Sequence, residues 1–167
     1  MIYNMIYNII FNTIYNLNCI YIIINIKMDE NDILYLEKSL NNEYNKNISK
    51  LTFDNINKNK ISVIRNLHLN KKEFDSLLKK LKDYQYIDEM SDLVEGRYIR
   101  WINIMNPDVI NLTNGGILCE IKIEDTIILV MKNKINKFFQ VHLDTNLIFQ
   151  KLTDQEKIIL YAVDLIQ

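Results

Sequence analysis

The stretch ILCEIKIEDTIILVMK, Ile117 to Lys132, decides how this chain is read. Apolar and polar residues alternate through Ile117 to Glu124, with Ile117, Cys119, Ile121 and Ile123 on one face and Leu118, Glu120, Lys122 and Glu124 on the other. A period of two is the signature of a half-buried strand. Glu124-Asp125 makes a tight turn, and Thr126 to Lys132 returns as the partner strand. Working outward, Arg97 to Ile104 reads as a strand before this hairpin. Lys137 to Leu143 follows it across the polar loop NKINK, and Asn146 to Gln150 reads as a short edge. The expected sheet is a small antiparallel β-meander or partial barrel.

Upstream of Gly96 the apolar spacing is helical. Asp29 or Asn31 can cap a helix running to about Asn42, with Ile33, Leu34, Leu36 and Leu40 as its stripe. A second helix is expected from Asp54 to about Leu67 on Ile56, Ile61, Ile64 and Leu67. A third opens with Asn70 and Glu73, a capping-box pair in which each side chain reaches the other's free backbone N–H, and runs to about Tyr84. At the far end Thr153 and Glu156 form a second capping box, starting a helix with Ile158, Ile159, Ala162, Val163 and Ile166 toward the sheet. The class is therefore α+β: N-terminal helices, an antiparallel sheet, and a closing C-terminal helix. Residues 28–90 form the helical part and 91–167 the sheet with its helix, packed as one domain.

The 167 residues, about half of them apolar, suffice for one ordinary core. A net charge of −1 gives no chain-wide signature for wrapping nucleic acid, so any charged surface must be local. Cys19 and Cys119 stand alone, without zinc-ligand spacing, which favours a reducing, intracellular location. Residues 1–27 differ from the rest. The first 26 carry no charge, and Asn4, Asn8, Asn12 and Asn16 recur through them at every fourth position. A dispensable extension ahead of Met28 is the leading reading. A membrane or partner-binding helix, or an element packed on the domain, are the alternatives, because the amides are costly in hydrocarbon.

The segments LKKLKDYQYIDEM, GRYIRWI, LTNGGILCEIKI and LIFQKLTDQEKIIL together resemble a family of small uncharacterised proteins from giant nucleocytoplasmic DNA viruses. The resemblance implies a viral source and a location in host cytoplasm or virion. It carries over no activity and no functional residue.

Phosphate-loop, dinucleotide and serine-hydrolase signatures are missing from the sequence, and His68 and His142 have no His or Cys neighbour at ligand spacing. Two binding surfaces are candidates. Lys71, Lys72, Lys79 and Lys80 make the third helix the most basic spot, in a loosely helix-turn-helix-like setting that suits phosphate contacts. Arg97, Tyr98, Arg100 and Trp101 interleave guanidinium and ring, which suits stacking on bases or gripping a protein. Asp108, Glu120 and Lys122 reproduce the spacing of a PD-(D/E)xK nuclease, provided a hairpin at Asn114-Gly115-Gly116 brings Asp108 beside the strand. There two carboxylates would hold Mg²⁺ while lysine positions water. A wet strand face and a local Asp turn explain the same residues, so a non-enzymatic module binding a protein or nucleic acid, without cofactor, is the expectation, with the Mg²⁺-dependent nuclease as the alternative.

Overall fold

The computed structural model describes residues 29–45, 48, 51–106 and 109–166. The extension 1–27, Met28, Pro107 and Asp108 lie outside the described residues. The chain order is α1 (Glu30–Leu40), α2 (Phe53–Arg65), α3 (Lys71–Lys80), β1 (Tyr84–Ile87), β2 (Tyr98–Asn103), β3 (Gly116–Ile123), β4 (Ile127–Lys132), β5 (Phe138–His142), β6 (Asn146–Lys151) and α4 (Asp154–Ile166). The α+β class and the C-terminal helix are as the sequence predicts. Two compact units emerge: one holds α1 and α4, the other spans Asp54–Leu152 and carries the sheet. Among the described residues no helix is long and apolar enough to cross a membrane.

In the first unit Asp29 caps α1, its Oδ1 accepting from the Asp32 N–H at 2.8 Å. At the start of α4 the Glu156 carboxylate accepts from the Thr153 N–H at 2.7 Å while the Glu156 N–H donates to Thr153 Oγ1, as the capping box requires. The two helices pack together. Gln155 Oε1 accepts from both Asn42 and Asn45, at 2.8 and 3.1 Å, tying the segment after α1 to the first turn of α4. Leu36 is buried, but Leu34, expected on the same stripe, is 49% exposed. Leu34 follows Ile33 by about 100° around the helix, too far to share the narrow contact stripe of Leu36.

The six strands of the second unit are ordered β1-β6-β2-β3-β4-β5, every neighbour antiparallel. Strands β2 to β5 form the expected meander. The last strand departs from expectation: β6 is no edge but sits between β1 and β2, with Ile148, Phe149 and Gln150 buried. Tyr84 starts β1 where the third helix was expected to continue. Its apolar spacing from Leu81 suits either structure, because both residues face the same core.

The open sheet has apolar residues on both faces. Ile87 from the β1 edge and Val141 from the β5 edge share one core with Ile99, Leu118, Leu129, Met131 and Ile148. The sheet is curled as well as twisted. Trp101 of β2 and Phe139 of β5 show the same curl, their ring centroids 5.5 Å apart across two intervening strands. No ladder joins β1 to β5, so the curl stops short of a closed barrel. Gln150 secures the β1–β2 connection over the concave face, accepting from the Val94 N–H at 2.9 Å and donating to the Asp92 carbonyl at 3.2 Å. On the convex face Ile64, Leu77 and Leu81 of α2 and α3 cover Ile102 and Phe149.

Two irregularities revise the reading of the opening stretch. Leu112 pairs with Ile102 and Gly116 with Ile99, so the register shifts by one residue between them. Asn114-Gly115-Gly116 is thus a bulge within a strand and not the expected hairpin turn; the chain reverses earlier, between Asn103 and Leu112. Gly115 has φ +89°, and a Cβ there would lie 2.4 Å from the Ile99 carbonyl oxygen, which is why glycine occupies it. The second shift falls between Leu118 and Glu120. Leu118 therefore enters the concave core, against the expected alternation, and Ile121 joins it, while Ile117 and Ile123 are exposed.

Candidate functional site

The α3 helix is held at both ends. At its N-terminus the Asn70 side chain accepts from the Glu73 N–H at 3.0 Å, and the Glu73 carboxylate accepts from the Asn70 N–H at 3.4 Å. This occupies two of the backbone donors at the helix start. The C-terminal side is held from a distance. Lys60 of α2 is 2% exposed, and its ammonium donates to the carbonyls of Leu81 and Tyr84 at 2.9 Å and of Lys82 at 3.3 Å. Burial pushes the Lys60 pKa below its ordinary 10.5, with the Asp83 carboxylate opposing that shift. Burial likewise raises the phenols of Tyr84 and Tyr86 above 10.0.

The helix so fixed turns Phe74, Leu77 and Leu78 to the sheet and leaves Lys71, Lys72, Lys79 and Lys80 exposed. Among the described residues none of the four forms an ion pair or hydrogen bond. Beside them runs an open cleft of about 740 Å³. Lys72, Ser76 and Lys80 stand on one side, Ile110 and Leu112 of the β2–β3 loop on the other, and Leu69 and Leu77 line it between them. His68 also lines it and adopts φ +51° at the turn leaving α2, in the left-handed region. Basic helix and apolar loop wall thus flank one depression.

Tyr98, Arg100 and Trp101 of β2 make contacts with the bulge and with β5. Tyr98 donates its hydroxyl to the Asn114 carbonyl at 2.6 Å, and Arg100 Nε donates to the Thr113 carbonyl at 2.8 Å, so both fasten the bulge around Gly115. Trp101 packs on Phe139 at the margin of the concave core. Arg97 is half-buried and its carbonyl accepts from the Leu118 N–H at 2.9 Å.

For the nuclease constellation the structure describes two of three residues. Glu120 and Lys122 lie on the convex side of β3, 4.0 Å from each other and open to solvent. Asp108 lies outside the described residues. His142 Nδ1 is 3.1 Å from Thr126 Oγ1, an exposed cross-strand pair.

Sequence reasoning found the lysines but missed the cleft and Lys60. The cleft joins Leu67–Leu77 to residues 109–112, and no local pattern announces that meeting. Lys60 did leave a signal: with Ile56 and Ile64 it repeats every fourth residue, on the helix stripe that is buried. No protein family, no curated protein and no solved structure matches this chain.

Proposed function

We propose that this chain is a non-enzymatic binding module that engages an anionic macromolecule, a nucleic acid or an acidic protein, through α3 and the cleft beside it. One observation carries the reading: four lysines without a side-chain partner among the described residues, on a helix capped at its start and held just past its end, next to an open cleft, in a chain whose net charge is only −1. Surface lysines cost little when solvated, but their clustering on one rigid element concentrates positive potential there. A viral source, with host-cytoplasm or virion location, belongs to this proposal and is supported by the sequence resemblance alone.

The test is fluorescence anisotropy of labelled duplex DNA, single-stranded RNA and poly-glutamate with the full chain, across a salt series. At least one polyanion should bind, more weakly as salt rises, and changing Lys71, Lys72, Lys79 and Lys80 together to Ala should flatten the salt slope by several units for a nucleic acid, about one per phosphate contact removed. Binding that ignores both salt and these lysines would overturn the reading.

A further inference from the structure

The walls of the cleft are chemically unlike, and that difference narrows the partner. The α3 side contributes the cations of Lys72 and Lys80 beside the Glu73 carboxylate, which the Asn70 N–H already engages, whereas the loop side contributes Ile110 and Leu112 with Asn111 between them. The same loop leaves Met105 70% and Val109 55% exposed. A phosphate backbone would use only the cations. A splayed base would need a ring to stack on, and His68 is the one ring among the described residues lining the cleft, whose other members are aliphatic, amide, hydroxyl or charged. An amphipathic helix uses both walls, with apolar anchors spaced one turn apart along one face and carboxylates along its flank. The chain's own first 26 residues lack any carboxylate and so cannot satisfy the lysines.

We infer that the cleft takes an acidic amphipathic helical segment of a partner protein, its apolar anchors seated on Leu69, Leu77, Ile110 and Leu112 and its carboxylates on Lys72 and Lys80. This rests on the reading of α3 as the binding surface and specifies the partner. Charge complementarity selects the acidic segment, and the apolar wall selects its amphipathic form.

The probe is a labelled synthetic helix-forming peptide with Leu at i, i+3 and i+7 and Glu on the adjoining face. It is compared with a scrambled isomer of the same composition and with a single-stranded oligonucleotide. With the full chain, the designed peptide should bind at least about tenfold more tightly than the scrambled one, since only it presents contiguous anchors. Lys72→Glu with Lys80→Glu should weaken the designed peptide by about tenfold or more. Val109→Ser, at an exposed position that leaves the fold intact by thermal melting, should weaken it several-fold with little effect on the oligonucleotide. Equal binding of the two peptides, still dependent on the lysines, would overturn the amphipathic partner and leave α3 as a polyanion site. Binding of the oligonucleotide alone would assign the surface to nucleic acid. Loss of lysine dependence with every probe would overturn both readings.

Discussion

The two ends of α3 solve the same problem by opposite means. Each end of a helix leaves backbone groups without partners: N–H at the start, C=O at the finish. At the N-terminus the answer is local, since Asn70 and Glu73 satisfy one another's N–H groups across three residues. Beyond the C-terminus the carbonyls of Leu81, Lys82 and Tyr84 converge on one ammonium from Lys60, more than twenty residues earlier in the chain. A local cap is a convenience that water can replace. The Lys60 cap is harder for water to replace: its ammonium is buried, although the Leu81 carbonyl also accepts from the Tyr84 N–H at 3.1 Å.

The comparison predicts unequal damage. Lys60→Met removes three charge-assisted bonds and strands buried carbonyls, so unfolding free energy should fall by about 3 kcal/mol or more, read from denaturant midpoints at unchanged slope. A loss below about 1 kcal/mol would show that water enters and replaces the ammonium.

The pH dependence of the same pair of proteins sharpens the point. The folded Lys60 pKa lies below 10.5, so between those two values the unfolded chain binds more protons than the folded one. The stability of wild type relative to Lys60→Met should therefore rise as pH climbs from that lowered pKa toward 10.5. Tyr84 and Tyr86 act oppositely. Their raised pKa values favour the folded state fully below pH 10.0, and that benefit is lost as pH rises through the folded values. Urea melts across this range on both proteins should show the fall in each and the Lys60 rise only in wild type.

At the local end Asn70→Ala should cost about 1 kcal/mol, the usual worth of an N-cap, again by denaturant melting. An equal loss at the two ends would break the comparison. The smallest effect belongs to the turn between α2 and α3. His68 holds φ +51°, so His68→Gly should stabilise the chain by less than about 1 kcal/mol, provided its ring makes no compensating contact in the cleft. A loss of stability there would reveal such a contact.

Several elements were legible because their signals are short-range. Asp29, the Asn70–Glu73 pair and the Thr153–Glu156 pair each mark a helix start, since a cap is complete within four residues. The β3–β4 hairpin shows in its alternation and its Glu124 turn. The lysines of α3 are visible as charge on a helix whose apolar face is plain. Where the reading failed, the deciding contact came from elsewhere. Leu118 turns inward because a bulge reverses the phase beside β4, and Asn114-Gly115-Gly116 bends without reversing because the chain has already turned. The contacts of Trp101 with Phe139 and of Arg100 with Thr113 also join distant segments.

The amino-acid sequence by itself determined where helices begin, which stretches extend, and where positive charge collects, because hydrogen-bond capping, side-chain periodicity and charge act over a few residues. Only the tertiary structure decided that β6 lies between β1 and β2, that the sheet curls until Trp101 meets Phe139, that Lys60 holds the exit of α3, and that an apolar loop stands across a cleft from its lysines. Each of these depends on burial and pairing between distant segments. Apolar surface leaves water wherever the whole chain can cover it, and no local window states where that will be.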